Sequence, residues 1–216
     1  MSEKVERATK RLNEILPLKE GLQKSNPQMK SLYHKILMSF VSTGNILSKY
    51  EMKKYINDVE SAIQIFDDNE MVIVSDSGDL IGAYPFTMED RENKVRVNGF
   101  EVNAMCAVDA LAVSQMYDLT TQIYSRCRIT DAPIYLEQAD TKIINLDEHV
   151  DIQICIAWES TQTNLKCANS LCREIFFVDS KKTADIWQKG EPRNREIFTL
   201  DEAVELARKF FVPLMS

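Results

Sequence analysis

The chain has 216 residues, 44% hydrophobic and 27% charged, with a formal net charge of −7. That length can bury a sizeable core as one domain or two small ones, and the acidic balance does not suit a whole-molecule grip on phosphate backbones. The opening MSEKVERATK has no apolar stretch, and the most apolar runs, such as Ile152 to Trp158, are strand-sized; no secretory signal or membrane span is expected, and the chain reads as cytoplasmic.

Residues 1 to 68 read as helical. Val5, Leu12 and Leu16 share one face, and Leu32, Ile36, Leu37 and Phe40 mark a second helix with Asn26-Pro27 at its start. Shorter helices are expected over Ser48 to Tyr55 and Asp58 to Phe66, the latter with Asn57 as its N-terminal cap. Two β-rich runs then flank Ser75-Asp76-Ser77-Gly78-Asp79 as a hairpin. Helices followed by a hairpin match a winged-helix-like module over residues 1–88. Its charges argue against DNA binding: Met1 to Met88 hold 11 Lys/Arg against 12 Asp/Glu, and the would-be recognition helix DVESAIQIF has no basic residue. The module is therefore expected to pack against the rest of the chain.

Met88 to Lys94, MEDRENK, reads as a linker or loop, and a second domain is expected over residues 89–216. VRVNGFEV reads as a strand or hairpin, CAVDALAVSQMY as a helix starting near Cys106, and TQIYSRC and APIYLEQ as paired strands. DIQICIAW and REIFFVD are further strands. Thr183 to Lys189 and Leu200 to Phe211 are closing helices, the last capped by Thr199 or Asp201. This order predicts an α+β fold, the helical module being followed by a mixed catalytic domain of small antiparallel sheets flanked by helices.

The chain has only two histidines, His34 and His149, and no glycine-rich phosphate loop. Its five cysteines, Cys106, Cys127, Cys155, Cys167 and Cys172, are an odd number without a C-x-x-C pair, so free thiols are expected and neither a zinc ribbon nor a thioredoxin-like motif is supported. Within Asn103 to Val113, NAMCAVDALAV, Cys106 and Asp109 fall on one helical face near the helix N-terminus, where the dipole favours a thiolate. Cys106 alone also fits a small buried hydrophobe. Asp109 does not: a carboxylate in an apolar run is costly to bury without a partner or a task. Taken singly, Cys127, Cys155 and Cys172 read as packing residues, Cys167 as an exposed bystander whose spacing to Cys172 is a weak metal signal, and His149 as solvated among acids. Trp158 and Trp187 read as core or lid aromatics.

Taken together, Cys106-Ala107-Val108-Asp109, Cys127 before Asp131-Ala132-Pro133, and Cys172 before Phe176-Phe177, Ser180 and Trp187 resemble the organomercurial (alkylmercury) lyase family over roughly residues 90 to 211. The N-terminal helices fit that family's winged-helix-like module more loosely. Met105 and Asn103 stand where well-known members carry aromatics, and Arg173 stands where some relatives have another cysteine; these departures bear on substrate preference more than on the reaction.

The resemblance implies protonolysis of a carbon–mercury bond in mercury detoxification. Cys106 and Cys172 would be the thiolates, Asp109 the proton shuttle, and Cys127 a structural residue. Cys106, Cys172 and, transiently, Asp109 would hold the Hg(II) product. No cofactor is implied. The partners implied are an organomercury substrate and cellular thiols or a mercuric reductase as Hg(II) acceptor, without nucleic acid or membrane. Two rival readings use the same residues: a soft-metal (Hg or Cu) carrier that performs no chemistry, and a metal-responsive winged-helix sensor. Retention of Asp109 argues against simple carriage, which needs ligands but no acid.

Overall fold

The computed structural model describes residues 2–146, 151–191 and 193–215. Five helices come first: α1 (Glu3–Ile15), α2 (Leu18–Lys24), α3 (Pro27–Thr43), α4 (Lys49–Met52) and α5 (Val59–Asp68). Asn26 caps α3 by accepting the Met29 N–H, with Pro27 where a missing donor costs nothing, and Gly44 ends the helix in the left-handed region. The cap of α5 is Asp58, not Asn57: its carboxylate accepts the Ser61 N–H at 3.0 Å, a charge that favours a helix start.

The strands β1 (Val72–Val74) and β2 (Leu80–Ala83) form the expected hairpin. The hairpin is not a free wing. β2 pairs onward with the two-residue β3 (Phe86–Thr87), which pairs with β5 (Phe100–Ala104), and β5 pairs with β4 (Asn93–Val97) around the Asn98-Gly99 turn. With β6 (Thr121–Arg126), β7 (Pro133–Ala139) and β8 (Lys142–Ile143) this makes one antiparallel sheet of eight strands, ordered β1-β2-β3-β5-β4-β6-β7-β8. In place of only small sheets, one large sheet therefore runs across position 88, because β3 bridges the two halves. A second, three-stranded antiparallel sheet has the order β10-β9-β11, from β9 (Gln153–Ala157), β10 (Ile175–Val178) and β11 (Arg195–Thr199).

Between these layers lies α6 (Ala107–Tyr117), in contact with β4 to β7 on one side and with α8 (Leu200–Phe211) on another. Its sequence AVDALAVSQMY is apolar all round, and a helix with no polar face is buried. α8 carries a complete capping box, Thr199 with Glu202, and also packs on α1. Lys4–Glu202 and Lys209–Glu6 ion pairs, at 2.5 and 2.8 Å, tie the edges of that contact. The remaining helix, α7 (Lys181–Gln188), lies along the second sheet, where Trp187 meets Phe176 edge to face at 5.4 Å.

The N-terminal helices pack inward. α5 buries Val59, Ala62, Ile63 and Phe66 and contacts β1. In its last turn Asp67 pairs with Lys166, and just past its end Glu70 accepts the Cys167 backbone N–H at 2.9 Å. Among the described residues no helix is long and apolar enough to cross a membrane.

Candidate functional site

The backbone brings together residues far apart in sequence. β5 ends at Ala104 and the chain turns directly into α6, placing Cys106 at the N-cap, where its sulfur accepts the Asp109 N–H at 3.5 Å. Asp109 follows in the first turn. Opposite them, a pair of short 3-10 turns (Cys167–Asn169 and Leu171–Glu174) leads into β10 and carries Cys172. One ligand atom each from Cys106, Asp109 and Cys172 lies within 4.8 Å of the others, and all three residues are buried. Two sulfurs sharing one ion through bonds of about 2.3 Å stand up to about 4.6 Å apart, so this is the scale of a single coordination sphere.

Burial dominates the electrostatics. Asp109 is 1% exposed, and loss of water pushes its carboxyl up to about 7, against the opposing pull of the Cys106 hydrogen bond and the Arg91 guanidinium. Its Oδ1 has no hydrogen-bond partner among the described residues, leaving one oxygen free to exchange a proton. The Cys106 thiol is pushed up to about 11, again by burial first. This corrects the expectation of a thiolate stabilised by the helix N-terminus: one N–H contact does not offset removal from water, so the thiol keeps its proton until something displaces it. Cys172 is raised well above its usual range, first by its hydrogen bond with Cys106.

Two spaces meet at Cys172. One is a narrow apolar pocket of only about 20 Å³, bounded by Leu12 and Leu16 of α1, Phe210 and Phe211 of α8, and the Cys106–Asp109 corner. The other is an open cleft of about 330 Å³, reaching Cys172 and Met105 between Arg91, Arg128 and Arg173. Cys172 lines both, whereas Cys106 and Asp109 line only the apolar side.

Three site residues lacked a clear sequence signal. Cys167, read as an exposed bystander, is 4% exposed with its sulfur 3.5 Å from that of Cys172; the Cys167-x4-Cys172 spacing was the hint. Tyr84, in the turn between β2 and β3, brings a buried hydroxyl, unpartnered among the described residues, to the pocket. Arg91, in the expected linker, is tucked in, with its guanidinium donating to Glu89 and to the Ala168 carbonyl. The other cysteines lie outside the cluster. Cys127 is buried at the end of β6 and accepts the Thr130 N–H at 3.4 Å, and Cys155 sits fully buried in β9, the middle strand of the second sheet. His149 lies outside the described residues. His34 lies outside the cluster, its ring bonded to the Leu214 carbonyl at 2.8 Å.

The family model described as MerB, alkylmercury lyase, matches residues 86–212, a span that holds Cys106, Asp109 and Cys172. Curated alkylmercury lyases of Bacillus cereus and Clostridium butyricum are each 23% identical over 150 residues, covering 69% of this chain and 66% of theirs. One from Staphylococcus epidermidis is 22% identical, over 69% of this chain and 67% of its own. The matched stretch thus spans about two thirds of the relatives' length. A crystal structure of the mercury-bound form of MerB2 superposes with a TM-score of 0.73 at 19% identity, covering 92% of this chain and 98% of that one. The shared fold therefore extends well before residue 86, into the helical module.

Proposed function

The chain belongs to the alkylmercury lyase family, and from that premise we propose that it cleaves the carbon–mercury bond of organomercury compounds by protonolysis, releasing a hydrocarbon and Hg(II). The observation that carries this reading is the buried convergence of two thiols and one carboxyl within 4.8 Å.

Mercury is soft, so thiolates outcompete oxygen and nitrogen for it. The substrate enters as a thiolate adduct, R–Hg–SR′. Cys106 forms the first Hg–S bond and gives its proton to Asp109, whose carboxyl near pH 7 is poised to accept it. The departing R′S⁻ takes the Cys172 proton and leaves as R′SH. Cys172 then bonds to mercury. Added sulfur donation pushes electron density onto the carbon, which takes a proton from Asp109 and leaves as R–H. In sum, R–Hg–SR′ and two cysteine thiols give R–H, R′SH and Hg(II) on Cys106 and Cys172. Asp109 ends as it began, having served as base and then acid. External thiols, or a mercuric reductase, then draw Hg(II) away past Cys172, which lines the open cleft.

Methylmercury incubated with the enzyme and excess thiol in D₂O tests the reading. Monodeuterated methane in several-fold excess over enzyme is expected; stoichiometric binding without methane would replace the lyase with a soft-metal carrier.

A further inference from the structure

The reaction above leaves one buried thiol of the site without a task. The sulfur of Cys167 is 3.5 Å from that of Cys172, inside the span that two sulfurs on one ion can bridge. It faces the same apolar pocket as Cys106 and Asp109. Its segment is anchored from several directions. Glu70 accepts the Cys167 N–H at 2.9 Å, Asp67 pairs with Lys166, Ser170 Oγ donates to the Lys166 carbonyl at 3.0 Å, and Arg91 donates to the Ala168 carbonyl at 3.4 Å. Two of those anchors, Asp67 and Glu70, come from the N-terminal helical module.

We propose that Cys167 is a further Hg(II) ligand of this chain, forming with Cys172 a second two-sulfur resting place for the ion. The proposal takes the identity of the ion from the lyase reading. After the hydrocarbon leaves, mercury bridges Cys106 and Cys172. The Cys167 sulfur bonds to mercury, the Hg–S bond to Cys106 breaks, and the Cys167 proton passes to the Cys106 sulfur with Asp109 as carrier. No electrons are gained or lost and the net charge is unchanged. Mercury stays on Cys172, the only one of the three cysteines that also borders the open cleft. Cys106 and Asp109 regain their starting protonation before the ion has left the protein.

The test uses the full chain and HgCl₂ alone, with mercury retained per chain measured after dialysis against a competing monothiol. Cys106→Ser is expected to hold close to one equivalent, since Cys167 and Cys172 remain. Cys106→Ser combined with Cys167→Ser is expected to lose retention at least tenfold, whereas Cys106→Ser with Cys155→Ser behaves as Cys106→Ser alone. Cys167→Ala serves in the same comparison should the serine variant not fold. Equal retention with and without Cys167 overturns the proposal. Hydrocarbon release by the unmodified chain is scored separately. Release with no Cys167 dependence of retention removes this ligand and leaves the lyase. Retention through Cys167 without release by the unmodified chain does the reverse.

Discussion

Asp109 is where residue chemistry and stability meet. Its carboxyl stands at about 7 because it is buried, whereas an unfolded-chain aspartate titrates near about 3.9. Between those values the folded chain holds a proton that the unfolded chain has lost, so stability falls as pH rises through that window. Asp109→Asn removes the cost of the buried charge. It should therefore raise stability relative to the unmodified chain at pH 8, on the order of 2–4 kcal/mol, and change it little at pH 4; thermal melts at the two pH values check this, and an equal shift at both would contradict it. The same titration shapes activity. In the proposed mechanism the free enzyme uses the carboxylate to accept the thiol proton, so kcat/KM is expected to rise tenfold per pH unit below about 7 and level off above it, and a flat profile from pH 5 to 8 would exclude that role. Cys106→Ser and Cys172→Ser should each abolish turnover while Cys155→Ser retains it, as measured by hydrocarbon release; loss of activity in Cys155→Ser alone would misplace the site. Cys106 and Asp109 were legible because a helical spacing puts them on one face, and Cys172 through its landmarks. Cys167, Tyr84 and Arg91 were not, since their positions depend on loop closures between segments many residues apart.

At the scale of elements, the long periodic helices, the hairpin and most strands could be read from sequence, because each is set by local pattern and caps. The two-residue β3 could not: Phe86 and Thr87 carry no periodicity, and only pairing with β2 and β5 makes them a strand. The burial of α6 was readable from its composition, but its neighbours were not. The narrow apolar pocket beside it is walled by α8 and by α1, which packs on α8. With about 20 Å³ of free space beside Leu12 and Leu16, the organic group must displace side chains to enter, and a bulky one more so. Leu16→Ala should therefore raise kcat/KM for phenylmercury relative to methylmercury by about tenfold, at a stability cost of about 2–5 kcal/mol. An unchanged ratio would show that the organic group lies elsewhere, in the open cleft.

At the scale of the molecule, the order of elements indicated an α+β protein and the charge count an N-terminal module that packs inward, but neither indicated the continuous sheet. Because strand pairing runs across position 88, and Asp67 and Glu70 hold the Cys167 segment, the helical module and the catalytic part are expected to unfold together. A single calorimetric transition with matching van't Hoff enthalpy is the expected result, and two separable transitions would contradict it. The N-terminal residues line the pocket through Leu12 and Leu16 of α1 and hold the Cys167 segment through Asp67 and Glu70.

The central claim is that Asp109 carries the proton that breaks the carbon–mercury bond. Benzene released from phenylmercury in excess thiol, measured beside retained mercury for Asp109→Ala and the unmodified chain, tests it most directly. The variant is expected to bind mercury but release benzene at least about 100-fold more slowly. Normal turnover by the variant would contradict it.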